Sequence, residues 1–188
     1  MRREFLRELI PEVAWIQNFE LRDKTETILC DAMEMGGWTE QTIANSPVTL
    51  LRDTDITSVE HLRDVAKACH ALFPIGKKYC ERHGVEFDYD TVICGALLHD
   101  VGKYPEVVPD ENGMPQYHER AKLMRHPLMG AILAAKYGVP DKVIHAIATH
   151  SFEGEKSYQT AESQFIRRVD ELVFFTSVQG ISPKQENM

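Results

Sequence analysis

Six side chains in this sequence could take part in one piece of chemistry: His61, His99, Asp100, His126, His150 and Asp170. The plainest clue is local. The apolar run Ala96-Leu97-Leu98 ends abruptly in His99-Asp100-Val101-Gly102-Lys103, a histidine-aspartate pair followed by a glycine. Alone, such a pair is either a solvated helix terminus or a pair of metal ligands. Together, six polar groups turned to a helical interior would burden a domain whose whole stability is about 5–15 kcal/mol, whereas coordination of a cation satisfies all of them. Imidazoles and carboxylates without thiolates suit one or two divalent transition metals, iron or manganese first and then zinc, nickel or cobalt. The two carboxylates also allow an oxygen-rich two-metal centre.

The elements that must carry these groups read as helices. Thr57-Ser58-Val59-Glu60 is a capping box that starts one of them. Leu62, Val65, Ala68 or Cys69, and Leu72 recur there at three and four residues, and His61 lies four before Val65 on the same face. By itself His61 fits a hydrogen-bonded core histidine as well as a ligand. A second helix begins near Asp88 or Asp90 and runs through Val92, Ile93, Ala96 and Leu97 with few polar positions, as a central helix would. His99 and Asp100 continue its buried stripe, and Gly102 is expected to end it. Pro127 suits the first turn of a helix that has His126 at its start and Met129, Ile132, Leu133 and Tyr137 on one face. Gly138 closes that helix and Pro140 opens another, in which Val143, Ile144, Ile147 and His150 align and His145 is offset. The last helix begins near Thr160 and turns Phe165, Ile166, Val169, Leu172 and Val173 inward. Asp170 falls on that stripe, where a carboxylate is costly unless paired or coordinated.

Between these helices, Tyr104 to about Lys122 reads as a long loop, broken by Pro105, Pro109, Asn112-Gly113 and Pro115, and could serve as a lid or binding loop. His118, Arg120, Lys122 and Arg125 at its C-terminal end either meet an anionic substrate or form a solvated basic strip. Residues 1–55 carry no chemical motif. Phe5, Leu6, Leu9 and Ile10 suggest a first helix, Pro11 opens a second holding Val13, Trp15, Ile16 and Phe19, and a third covers Asp23 to Met35, stopped at Gly36-Gly37. Asn45-Ser46-Pro47 reads as a connector. The expected organisation is an N-terminal helical extension over 1–55 packed on an all-α bundle over 56–178, with a frayed tail over 179–188.

Composition narrows the partners. With 43 % hydrophobic and 27 % charged residues in 188, the chain has the balance of a globular domain that folds without staples. Cys30, Cys69, Cys80 and Cys94 show no CxxC spacing and read as free thiols of a reducing cytoplasm. No apolar run approaches the roughly 18 residues of a membrane span, and the N-terminus lacks the apolar core of a signal peptide, so a soluble cytoplasmic protein without a membrane partner is expected. The net charge of −8 disfavours broad nucleic-acid binding. A small phosphorylated substrate remains compatible with it, because a bound metal supplies positive charge that the side chains do not.

From Ser58 to Phe175 the sequence resembles the HD-domain superfamily of metal-dependent phosphohydrolases. The resemblance runs through His61 in HLRDVA, His99-Asp100 in HDVGK, His126 in HPLMGA, then His150, and Asp170 in RRVDEL. It implies an all-α HD-domain bundle in which His61, His99, Asp100 and Asp170 form one metal site and Asp100 bridges to a second metal held by His126 and His150. The implied activity is hydrolysis of a phosphomonoester or phosphodiester of a nucleotide or other small phosphorylated metabolite by a metal-bound hydroxide that Asp100 orients. Lys103 would then stabilise the phosphate oxygens, or else serve only as a helix-end lysine offsetting the macrodipole. The ligand set is also similar to that of mixed-valent diiron oxygenases, which makes oxygenation the alternative reaction class. After His150 the chain reads Ser151-Phe152-Glu153-Gly154, without the GYP motif of the cyclic dinucleotide enzymes, so that substrate class is set aside.

Overall fold

In a computed structural model, which describes residues 1–183, the chain is predominantly helical. It runs through α1 (Arg3–Leu9), a 3-10 turn (Pro11–Trp15), α2 (Phe19–Met35), α3 (Ser58–Arg82), α4 (Tyr89–Leu98) and a single turn α5 (Lys103–Glu106). A hairpin of β1 (Val107–Pro109) and β2 (Pro115–Tyr117) follows, then α6 (His126–Lys136), α7 (Asp141–Thr149) and α8 (Ala161–Ser177). No helix among the described residues is long and apolar enough to cross a membrane, and all four cysteines are free.

Caps set where the site-bearing helices begin. Thr57 Oγ1 accepts from the Glu60 amide at 3.1 Å while Glu60 Oε2 accepts from the Thr57 amide at 2.9 Å, which closes the capping box and fixes His61 in the first turn of α3. Asp88 caps α4 by accepting from the Thr91 amide at 2.7 Å. Every residue from Thr91 through Gly102 is buried, so α4 is the axis against which α2, α3, α7 and α8 pack. Each fully buried Val, Leu or Ile on it contributes about 1.5–3 kcal/mol relative to exposure. Leu6, Ile10, Ile28, Leu29, Met33 and Trp38 from the N-terminal segment join Val92, Ile93, Leu97 and Leu98 in one continuous core.

Several local expectations are corrected. The helix expected from Pro11 to Phe19 is a short 3-10 turn. The amides of Gln17 and Asn18 donate to the two carboxylate oxygens of Asp90 at 2.7 Å each, which draws the backbone out of the helix; Asn18 then caps α2, leaving Phe19 78 % exposed. The long loop after Tyr104 contains a two-stranded hairpin with Val107 opposite Tyr117, closed by Asp110 Oδ1, which accepts from the amides of Asn112 and Met114 at 2.8 Å. Leu172 and Ile132 face solvent, because each lies well off the buried stripe of its helix. In the tail, the Ile181 carbonyl accepts from Arg52 and Pro183 bridges to Arg52; residues 184–188 lie outside the described residues.

Gly102 serves a purpose other than the one read from the sequence. Its φ of −68° is open to any residue, so it is no left-handed helix cap. What it supplies is space: a Cβ there would lie 2.0 Å from the His126 carbonyl oxygen and 2.7 Å from the Gly130 nitrogen. The turn after α4 therefore lies directly on the start of α6, and that contact brings His126 to Asp100. Gly102→Ala is expected to destabilise the protein by about 1–3 kcal/mol or more, read as a lower urea midpoint at unchanged m-value; an unchanged midpoint would remove this explanation of the glycine.

Candidate metal centre

Four helices deliver an end, and a fifth its middle, to a common point. His61 comes from the first turn of α3, and His99 and Asp100 from the end of α4. His126 is the first residue of α6, His150 follows α7 directly, and Asp170 projects from α8. All but Asp170 are buried, and its side chain is only 16 % exposed. The six groups fall into two triads, His61-His99-Asp170 and Asp100-His126-His150, with candidate ligand atoms in each within 4.8 Å of one another. Asp100 lies between the triads. Its Oδ2 is 3.3 Å from His99 Nε2 and 3.6 Å from His61 Nε2, while its Oδ1 is 3.3 Å from His150 Nε2 and 3.5 Å from His126 Nε2.

The outer nitrogens decide what the inner ones can do. His99 Nδ1 lies 2.7 Å from the Ala96 carbonyl, His150 Nδ1 2.8 Å from the Ile147 carbonyl, and His126 Nδ1 2.9 Å from Glu106 Oε2. Each of these partners accepts, so Nδ1 carries the proton and Nε2 turns a lone pair inward, the tautomer being assigned from its partners. Those lone pairs face carboxylate oxygens, and His99 Nε2 also lies 3.4 Å from His61 Nε2, which is itself 2.9 Å from Asp170 Oδ1. Lone pairs converging on carboxylates are repulsive until a cation or extra protons lie among them, so the donor set fits a divalent metal with nitrogen and oxygen ligands. On the far side of His61, Nδ1 is buried with no hydrogen-bond partner among the described residues.

The charge balance around Asp100 shows the same demand for positive charge. Burial disfavours the charged His99 ring, but Asp100 and Asp170 outweigh it and raise its pKa to about 10. Burial alone would raise the Asp100 carboxyl, yet Lys103 and His99 hold it well below the usual range. Asp170 is held low against the same effect of burial by His99 and His61. For His61 and His126 burial prevails and lowers the pKa, so both favour the neutral ring that binds metals.

The remaining candidates separate by position. Lys103 Nζ is 2.6 Å from Asp100 Oδ2 and donates to the Val48 carbonyl at 3.1 Å, which puts it beside the centre. Arg125 lines the adjoining cavity but is held by Glu106 at 2.7 Å and Glu153 at 3.2 Å. His118 Nδ1 accepts from the Arg120 amide at 3.1 Å, capping a 3-10 turn, and Arg120 and Lys122 are exposed outside the cavity lining.

Two contributors were missed from the sequence. Glu106 is buried and holds both His126 and Arg125; its only signal was an acid between Tyr104 and Val107 in a proline-broken stretch. The run Val48-Thr49-Leu50-Leu51 lines the cavity. It is anchored where the Val48 amide meets the Ile56 carbonyl at 3.0 Å and the Ser58 amide meets the Ser46 carbonyl at 2.7 Å.

Comparison with known families agrees with this geometry. The HD domain model matches residues 58–174, more than half of the chain, from the capped start of α3 to just past Asp170. The chain belongs to the HD-domain family, whose members are generally metal-dependent hydrolases that bind divalent metals. No solved structure matches the chain.

Adding Mn²⁺ to chelator-treated protein is expected to raise the melting temperature, by about 2.7 kcal/mol of linkage at a hundredfold excess over Kd, and Asp170→Ala should lose most of that rise. Glu106→Ala, which frees His126 Nδ1 without touching an inward nitrogen, should weaken metal binding about 10- to 100-fold by calorimetry; wild-type affinity would show that Glu106 does not set the His126 ring.

Proposed function

We propose that this protein is a cytoplasmic phosphohydrolase that uses both triads to hold two divalent metals and cleaves a phosphomonoester or phosphodiester of a nucleotide or other small phosphorylated metabolite. The observation that carries this reading is the Asp100 carboxylate, which offers one oxygen to each pair of imidazoles at the floor of a cavity of ≈ 290 Å³. His61, His99 and Asp170 would hold one ion and His126 and His150 the other, with Asp100 common to both. When bound, the metals supply a water of lowered pKa and a Lewis-acid clamp on phosphate oxygens.

The chain's own residues provide the rest. Glu106 keeps His126 turned inward, and the backbone carbonyls of Ala96 and Ile147 do the same for His99 and His150. Lys103 is the nearest cation to Asp100, which raises its pKa against the effect of burial, so it remains charged. With Asp100 serving as a metal ligand, Lys103 would be free to donate to the oxygens of a bound phosphoryl group. A cavity of ≈ 290 Å³ sits at the small end of ligand sites, which run from about 300 to 1,000 Å³, and this favours one compact metabolite over an extended dinucleotide. The four free thiols support a reducing, cytoplasmic setting.

Mn²⁺- or Fe²⁺-loaded protein is expected to hydrolyse members of a panel of phosphomonoesters and phosphodiesters. Asp100→Ala should lower kcat/KM by about a thousandfold or more and reduce bound metal per chain. Retention of both by Asp100→Ala would refute the proposal.

A further inference from the structure

Most polar side chains around the cavity are already engaged with one another or with backbone. Arg125 is bound to Glu106 and Glu153, Arg167 gives its Nε to Glu171 Oε1 at 3.1 Å, Ser151 donates to Glu153, and Thr49 accepts from the Leu51 amide at 3.1 Å. What faces the cavity beyond its metal-binding floor is therefore mainly carbon. Val48, Leu50 and Phe174 are among the residues that line it. The Phe174 ring stands edge-on to His61 with centroids 6.1 Å apart, and Lys103 Nζ lies 6.0 Å from its centroid. Phe175 continues the wall outward, 5.5 Å from Phe174 between centroids. At the rim, Phe152, Phe175 and Leu51 line the same cavity yet are 71 %, 59 % and 51 % exposed. Large apolar side chains gathered at the mouth of a functional cavity mark a surface that is covered when the ligand binds.

We propose that the substrate is a phosphate ester whose organic part is an apolar alkyl or aryl group, held between the Val48–Leu51 segment and the Phe174–Phe175 wall and capped by Phe152. The occupant follows from continuity: Phe174 lies beside both His61 and Lys103, where the phosphoryl group would lie, and the adjoining Phe175 reaches the exposed rim. A hydroxyl-rich ester such as a sugar phosphate would have to bury hydroxyls against these carbon surfaces, losing hydrogen bonds to water that the apolar side chains do not replace. This inference deepens the phosphohydrolase reading and names the class of leaving group.

The test uses metal-loaded protein and two non-hydrolysable probes, phenylphosphonate and methylphosphonate, with binding measured by calorimetry. Phenylphosphonate should bind about tenfold or more tightly, since the added ring buries its area against the walls. In Phe152→Ser and Phe175→Ser, both at exposed positions, that ratio should fall about threefold or more, while Leu123→Ser, exposed and outside the cavity, should leave it unchanged. Turnover should show the same order, with kcat/KM higher for phenyl or hexyl phosphate than for glycerol phosphate or ribose 5-phosphate. Preference for phenylphosphonate without hydrolysis of any ester would remove the hydrolase reading and keep the ligand class. Equal binding of the two probes, a preference for the hydroxyl-rich esters, or a dimer that covers Phe152 and Phe175 in solution would each overturn the inference.

Discussion

The structure depends on one buried carboxylate. Asp100 is enclosed by four imidazole nitrogens and the Lys103 ammonium, and none of the helices that bring those imidazoles can shift far without disturbing that cluster. A carboxylate in such surroundings stays ionised only because positive charge is close, and the inward lone pairs of the histidines leave room for that charge to be a metal. The fold and the chemistry therefore impose the same requirement: α3, α4, α6 and α7 must bring an end, and α8 its middle, to one point, with defined ring orientations.

How they arrive is a matter of close approach. Gly95 lets α8 lie against α4, since a Cβ there would be 2.6 Å from Ile166 Cδ1, and Gly102 lets the turn after α4 rest on the first residue of α6. These contacts set the heights of Asp170 and His126 relative to Asp100. Ring orientation is then fixed from outside the cluster by two backbone carbonyls and Glu106. The N-terminal segment contributes by filling the core behind α4 and by supplying Val48 to Leu51 as a wall of the cavity.

Much of this was legible in the sequence for a physical reason. The capping box at Thr57 and the buried stripes of the later helices follow from local hydrogen bonding and the 3.6-residue period, and they carry His61, His99, Asp100, His126, His150 and Asp170 with them. Features that rest on tertiary contact were not legible. Asp90 reaching back to the amides of Gln17 and Asn18 ended a helix the local pattern favoured. Glu106 and the Val48–Leu51 run lie in stretches without periodicity, so their burial could not be inferred. Gly102 was rightly marked and wrongly explained, since only the position of His126 reveals that space, and not φ, requires it.

The most direct test of the central claim is anomalous diffraction from crystals of the protein saturated with Mn²⁺. The account predicts a peak within each triad, one among His61, His99 and Asp170 and one among His126, His150 and Asp100, with the Asp100 carboxylate touching both. Mn²⁺-saturated crystals with no peak at either triad, the imidazoles keeping their arrangement around Asp100, would contradict it.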